Sequence, residues 1–196
     1  MGLFDILKKK TAFDYYNEGL VFSSRRQYSE ALAFFDKAIE IDPYFKEAWD
    51  TRGFTLNHLG RYTEAAASCD KAIAINPNFD KAWHNRGIAQ MSLDRNSEAL
   101  DSFNKAISIN PNSNMTWHAR GIAQMNLDRN SEALDSFNKG ITIEPNDAVT
   151  WYRRGIALGN LGRHSAAVAS YDKAIAISPD FTEAKQNREI ALKKLT

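Results

Sequence analysis

Pro43, Pro77, Pro111, Pro145 and Pro179 lie 34 residues apart, and this interval constrains the fold more than any other feature of the chain. Gly19, Gly53, Gly87, Gly121 and Gly155 keep the same spacing, as do Ala31, Ala65, Ala99, Ala133 and Ala167. Tryptophan follows at Trp49, Trp83, Trp117 and Trp151, with Tyr15 in the first copy. A fixed period of about 20 to 50 residues marks stacked units that each touch only their neighbours, not one globular core.

Within one period, two helical stretches fit the pattern: residues 46–59, punctuated by Gly60, and residues 63–75, stopped by Pro77. Trp49, Gly53 and Leu56 share one face of the first helix, where the missing glycine side chain admits a close partner. Ala65, Cys69, Ala72 and Ile73 form the facing stripe of the second. The hydroxyl residues Ser29, Thr63, Ser97, Ser131 and Ser165 are expected to cap the second helices. Gly60, Asp94, Asp128 and Gly162 suit a left-handed turn between the two. Each hairpin buries too little apolar surface to stand alone, so neighbours must stack.

The spacing of tryptophan, glycine, the two alanines, the ring between them and the closing proline resembles the tetratricopeptide repeat (TPR). Five copies cover 12–45, 46–79, 80–113, 114–147 and 148–181, preceded by a leader, 1–11, and followed by a capping helix, 182–196. The wording of the repeats is most similar to TPR proteins of cyanobacteria and some other bacteria. The resemblance implies an all-α fold, an α-solenoid wound as a right-handed superhelix of antiparallel helix pairs. It also implies a protein-interaction scaffold that is not an enzyme and binds a peptide or partner protein in a concave groove. Segments 83–111 and 117–145 differ at only five of 29 positions, a duplication that an assembled active site would rarely tolerate.

Composition agrees with a binding role. The 25 basic and 24 acidic residues nearly cancel, which gives no global field for nucleic acid. No apolar run reaches the length needed to span a bilayer, and a single cysteine, Cys69, excludes an internal disulfide framework. A cytoplasmic protein without cofactor or metal is the expectation. His84 and His118 occupy equivalent positions one repeat apart, too far to share an ion.

The candidate binding residues lie on first helices, at repeat positions 2, 5, 6 and 12. They are Phe13 and Tyr16; Glu47 and Asp50; Lys81, His84 and Met91; Met115, His118 and Met125; and Tyr152 with Arg153. Apolar and aromatic members should anchor a partner, with Lys81, Arg153, Glu47 and Asp50 orienting it. Position 9 adds a file of Leu20, Phe54, Ile88, Ile122 and Ile156, which is either exposed or half-buried by the superhelix. The clamp of two lysines, an arginine and two asparagines by which chaperone-binding TPR domains hold a terminal carboxylate has no matching window here. Arg52, Arg86, Arg120 and Arg154 replace the leucine usual in the family and are expected to brace neighbouring repeats through Asp36, Asp70 and Asp172, or through Asn104 and Asn138.

Two alternatives concern the ends. Leu3, Phe4, Ile6 and Leu7 ahead of three lysines could rest on a membrane surface, as in a peripheral assembly factor for a photosynthetic or envelope complex, or could simply cap the first repeat. Self-association through the array edges or the groove would make a homo-oligomer.

Overall fold

Proline sets the period of the helices as well as of the sequence. In the computed structural model, which describes residues 9–195, each second helix stops one residue before the residue that precedes a proline. That preceding residue is extended: Asp42, Asn76, Asn110, Glu144 and Ser178 have φ between -139° and -127° and ψ between 86° and 99°. The proline ring denies its predecessor the helical region, so the helix must end there.

Eleven helices result among the described residues, with no strand: α1 (Ala12–Ser24), α2 (Tyr28–Ile41), α3 (Lys46–His58), α4 (Tyr62–Ile75), α5 (Asp80–Ser92), α6 (Asn96–Ile109), α7 (Asn114–Asn126), α8 (Asn130–Ile143), α9 (Ala148–Asn160), α10 (His164–Ile177) and α11 (Thr182–Lys193). Described residues before Arg95 form one compact unit, holding α1–α5, and those from Arg95 onward a second, holding α6–α11. The leader residues 1–8, with the membrane or capping roles expected of them, and residue 196 lie outside the described residues.

The turn inside each hairpin is left-handed as expected: Gly60 and Gly162 have φ of 73° and 69°, and Asp94 and Asp128 of 60° and 57°. Arg26 takes the same conformation, φ 59°, in the first copy. Two backbone bonds close the turn. The amide of Gly60 donates to the carbonyl of Asn57 at 3.2 Å, and that of Arg61 to Leu56 at 2.9 Å. This is a Schellman closure, and it corrects one expectation. The residue after the left-handed one (Gln27, Arg61, Arg95, Arg129, Arg163) becomes the N-cap of the second helix, with no side-chain cap. Ser29, Thr63, Ser97, Ser131 and Ser165 therefore sit inside the first turn of the helix.

In the first, fourth and fifth hairpins a ring is seated on a glycine. A Cβ placed on Gly19 would lie 2.6 Å from Phe35, on Gly121 2.5 Å from Phe137, and on Gly155 2.4 Å from Tyr171. At Gly53 the neighbour is Cys69 Sγ, at 2.6 Å. Cys69 is fully buried, and burial raises its thiol pKa, so it stays a protonated core side chain.

Successive repeats are joined by a polar column as well as by alanine packing. Each tryptophan indole donates to the carbonyl of the proline six residues earlier (Trp49 to Pro43, Trp83 to Pro77, Trp117 to Pro111, Trp151 to Pro145) at 2.8–2.9 Å. The arginine three residues on lies over that indole, with Arg52 5.9 Å and Arg120 5.2 Å from the ring centroid. Arg52 then donates to Asp36 of the preceding repeat and to buried Ser68 of its own, at 2.7 and 2.6 Å. Arg86 pairs with Asp70, Arg154 bonds Asn138 and Ser170, and Arg188 reaches Asp172. Arg52, Arg86 and Arg154 brace neighbouring repeats, as expected, whereas the buried Nε of Arg120 has no hydrogen-bond partner among the described residues.

Two outcomes test these contacts by chemical denaturation. Arg26→Gly should gain about 0.5–1 kcal/mol, because it removes a side chain from a left-handed backbone. Gly121→Ala should lose about 1–3 kcal/mol by driving a methyl into Phe137, despite alanine's better helix propensity.

Candidate functional site

Once alanine and glycine positions are committed to helix packing, one face of each first helix is left over. Among the described residues of the first unit it exposes Phe13 (60%), Leu20 (38%) and Phe54 (38%). In the second unit it exposes Met115 (64%), Val149 (46%) and Ile190 (55%). Ile88, Ile122 and Ile156 of the position-9 file are half-buried, whereas its Leu20 and Phe54 are exposed. Lys81 is exposed, whereas Glu47 is half-buried and paired with Lys46 at 2.6 Å. Met91 and Met125 are half-buried, the latter against the core of the second unit.

Position 5 differs from its reading as a free anchor. Tyr16 packs on Phe35 and Phe45, with ring centroids 5.9 and 4.9 Å apart. Tyr152 packs likewise on Tyr171 and Phe181, at 6.0 and 4.8 Å, and its hydroxyl accepts from Asn187. His118 lies 5.9 Å from the Phe137 ring, with Nδ1 2.8 Å from the hydroxyl of buried Thr150. These side chains fill the junction between a hairpin ring and the next interrepeat loop. The glycine that accepts the ring also leaves room above it for position 5, a coupling that sequence spacing does not display.

Asp50 is the sharpest departure. Only 7% exposed, it accepts a hydrogen bond from Asn85 Nδ2 at 2.8 Å, across the junction to the next repeat. It offers no free carboxylate to a partner. Burial pushes its pKa up to about 6, against the opposing effects of the Asn85 bond and the Lys81 charge. Burial lowers His84 to about 4, so the ring is neutral at pH 7. Arg153 is half-buried beside Tyr152, its guanidinium 5.9 Å from that ring, and its Nε has no hydrogen-bond partner among the described residues.

Helical hairpins repeated at a fixed interval, with ring-on-glycine cores and an exposed apolar face on the first helices, define a repeat scaffold of the α-solenoid class. Models of the tetratricopeptide repeat match residues 12–45, 80–113 and 148–181, and further models of the same repeat match 34–67 and 116–147. The chain belongs to the tetratricopeptide repeat family, whose members are interaction scaffolds for peptides and proteins. The crystal structure of YrrB, described as a TPR protein with an unusual peptide-binding site, is similar with a TM-score of 0.74 and 26% identity, covering 93% of this chain and 94% of that one. The thermophilic TPR protein TTC0263 of Thermus thermophilus gives a TM-score of 0.75 at 20% identity, covering 93% and 100%. MamA from Desulfovibrio magneticus RS-1 gives 0.78 at 18%, covering 90% and 99%; these last two bear on the fold alone. The uncharacterised protein MJ0572 of Methanocaldococcus jannaschii is 35% identical over 51 residues, 26% of this chain and 59% of that protein, so the match spans little more than half of that relative. Among the described residues no helix is long and apolar enough to cross a membrane.

The two buried groups pull stability in opposite directions as pH changes. Asp50, raised from 3.8 to about 6, binds its proton more tightly when folded, so its contribution falls as pH rises between those values. His84, lowered from 6.5 to about 4, contributes fully above the former value and loses its contribution as pH falls towards the latter. Asp50→Asn keeps the acceptor for Asn85 and removes the charge. Urea titrations should show it about 2 kcal/mol more stable than the parent at pH 7 and nearly equal to it at pH 4; equal stability at pH 7 would show that Asp50 ionises there at no cost.

Proposed function

We propose that the protein binds a peptide segment or an extended stretch of a partner protein along the exposed faces of its first helices. The observation that carries this reading is the set of large apolar side chains standing in solvent at equivalent repeat positions, Phe13, Met115 and Val149 at position 2, with Leu20, Phe54 and Ile190 at position 9. Repeated exposure of this kind has no role in the packing of the array and suits adaptable contact with a partner. A peptide-binding site in YrrB supports the same use of the fold.

Anchoring falls to the exposed members of the expected set, Phe13 and Met115, joined by Val149. Lys81 and Arg153 supply positive charge along the faces, and Glu47 supplies negative charge once released from Lys46. Tyr16, His84, Met91, His118, Met125 and Tyr152 shape the floor on which a partner rests. Asp50 lies beneath that floor and accepts the Asn85 bond across a repeat junction. Repeat boundaries at 12–45, 46–79, 80–113, 114–147 and 148–181, with a capping helix over 182–196, and a cytoplasmic location belong to the same proposal.

Peptides selected from a displayed library on the full chain supply the test. Phe13→Ser/Met115→Ser/Val149→Ser changes only residues at least 46% exposed, so circular dichroism should report an unchanged fold. Loss of the anchors should weaken the selected peptides about 100-fold. Tyr44→Ser, at an 80% exposed residue in the loop between α2 and α3, should leave affinity unchanged. Equal binding by the triple variant and the parent would remove the first-helix faces from the function.

A further inference from the structure

The fifth repeat departs from its neighbours at three places that meet in space. Position 12 is Gly159, where the third and fourth repeats carry Met91 and Met125. Position 24 is Tyr171, where those repeats carry Phe103 and Phe137. At the third place, the Asn126–Asn96 and Asn160–Asn130 side-chain bonds that link earlier repeats, each 3.0 Å, give way to Lys194 and His164 at the equivalent positions. Gly159, Tyr171, His164 and Lys194 all line a recess of about 220 Å³ between α9, α10 and α11.

The lining is part polar and part apolar. Tyr171, His164 and Lys194 contribute hydrogen-bond donors, and no Asp or Glu lines the recess among the described residues. Burial pushes the Tyr171 hydroxyl up to about 12, which keeps its proton in place for donation. Ile156 and Ile190 supply apolar lining, Ile190 standing 55% exposed. Asn187 also lines the space but is engaged with the Tyr152 hydroxyl at 3.1 Å. The recess is smaller than the usual range for a drug-sized ligand or cofactor, about 300–1,000 Å³, and matches one side chain.

We propose that this recess is a specificity pocket for a glutamate side chain of the bound peptide. The aliphatic stem would lie on Ile156 and Ile190, and the carboxylate would accept hydrogen bonds from Lys194, Tyr171 and His164. A peptide's terminal carboxylate shares the charge but lacks the two-carbon stem, which is why the acidic side chain is the source assigned. The pocket deepens the peptide-binding reading and rests on it for its biological use, but its occupancy by a small probe does not.

The experiment is an amide-resolved NMR titration of the full chain with three probes: N-acetylglutamate α-methylamide, its glutamine counterpart, and N-acetylalanine, which carries only a terminal carboxylate. The glutamate probe should bind saturably with a Kd of about 1 mM, a range suited to a ligand this small. Shifts should centre on Gly159, Tyr171, Asn187 and Ile190. Binding should weaken about tenfold or more for the glutamine probe, for N-acetylalanine, and for Tyr171→Phe and Gly159→Met, each of which installs what another repeat of this chain already carries at that position. Lys194→Gln should weaken the glutamate probe alone. Equal shifts with the glutamine probe, tighter binding of N-acetylalanine, or undiminished binding by Gly159→Met would each overturn the assignment. A bound glutamate probe alongside an unaffected anchor variant in the library experiment would keep the pocket and remove the first-helix faces from the peptide-binding reading.

Discussion

An aromatic ring lying on a glycine is the contact from which the rest of the array follows. Helices α1, α7 and α9 each leave a bare backbone at the point where Phe35, Phe137 or Tyr171 arrives, and the ring comes closer than any Cβ would allow. The close approach brings the alanine columns into register, and Ala31, Ala65, Ala99, Ala133 and Ala167 are all fully buried. It also fixes what may stand above the ring. Tyr16, His118 and Tyr152 occupy that space because the ring beneath them has sunk into the neighbouring helix. A residue one helical turn from the glycine thus becomes part of the packing even though its position on the helix faces a potential partner.

Between repeats the interactions are of another kind. Proline ends one hairpin and leaves its carbonyl for the tryptophan of the next, whose ring carries the arginine that reaches back to the previous second helix. The half-buried guanidinium is satisfied by partners from two helices, Asp36 and Ser68 for Arg52, Asn138 and Ser170 for Arg154. Pairing of this kind adds little net stability, since desolvation offsets much of the attraction. Its effect is on geometry: a flat donor with fixed directions sets the position of each repeat on the last more sharply than alanine contacts do.

Where neither packing rule applies, the copies diverge, and functional character lies there. Phe13, Met115 and Val149 share a repeat position with Glu47 and Lys81, so the same place on the first helix is apolar in three copies and charged in two. Gly159 and Tyr171 show the same freedom in the fifth repeat, where both line a recess at positions that carry methionine and phenylalanine in the third and fourth repeats. A scaffold of near-identical copies can carry distinct sites because each junction changes with two or three substitutions.

The helix pairs, their turns and their stops were legible in the sequence because they depend on residues with narrow conformational roles. Pre-proline restriction, left-handed Gly and Asp, and glycine's missing side chain act locally, and their repetition at one interval leaves little room for another fold. The arginine braces were legible too, since a guanidinium facing a junction needs an acceptor and Asp36 and Asp70 were in place. Other features required the tertiary structure. The serines and threonine expected at the caps moved inside the helix because closure of the preceding turn claimed the capping position. Asp50 was read as a groove carboxylate and proved to be a buried acceptor for Asn85, since exposure at that position depends on how the next repeat leans on it. The recess at Gly159 was likewise hidden, because a void is defined by the several helices that fail to fill it. Sequence determined the local geometry of every hairpin, whereas only packing between hairpins decided which polar side chains remain free to meet a partner.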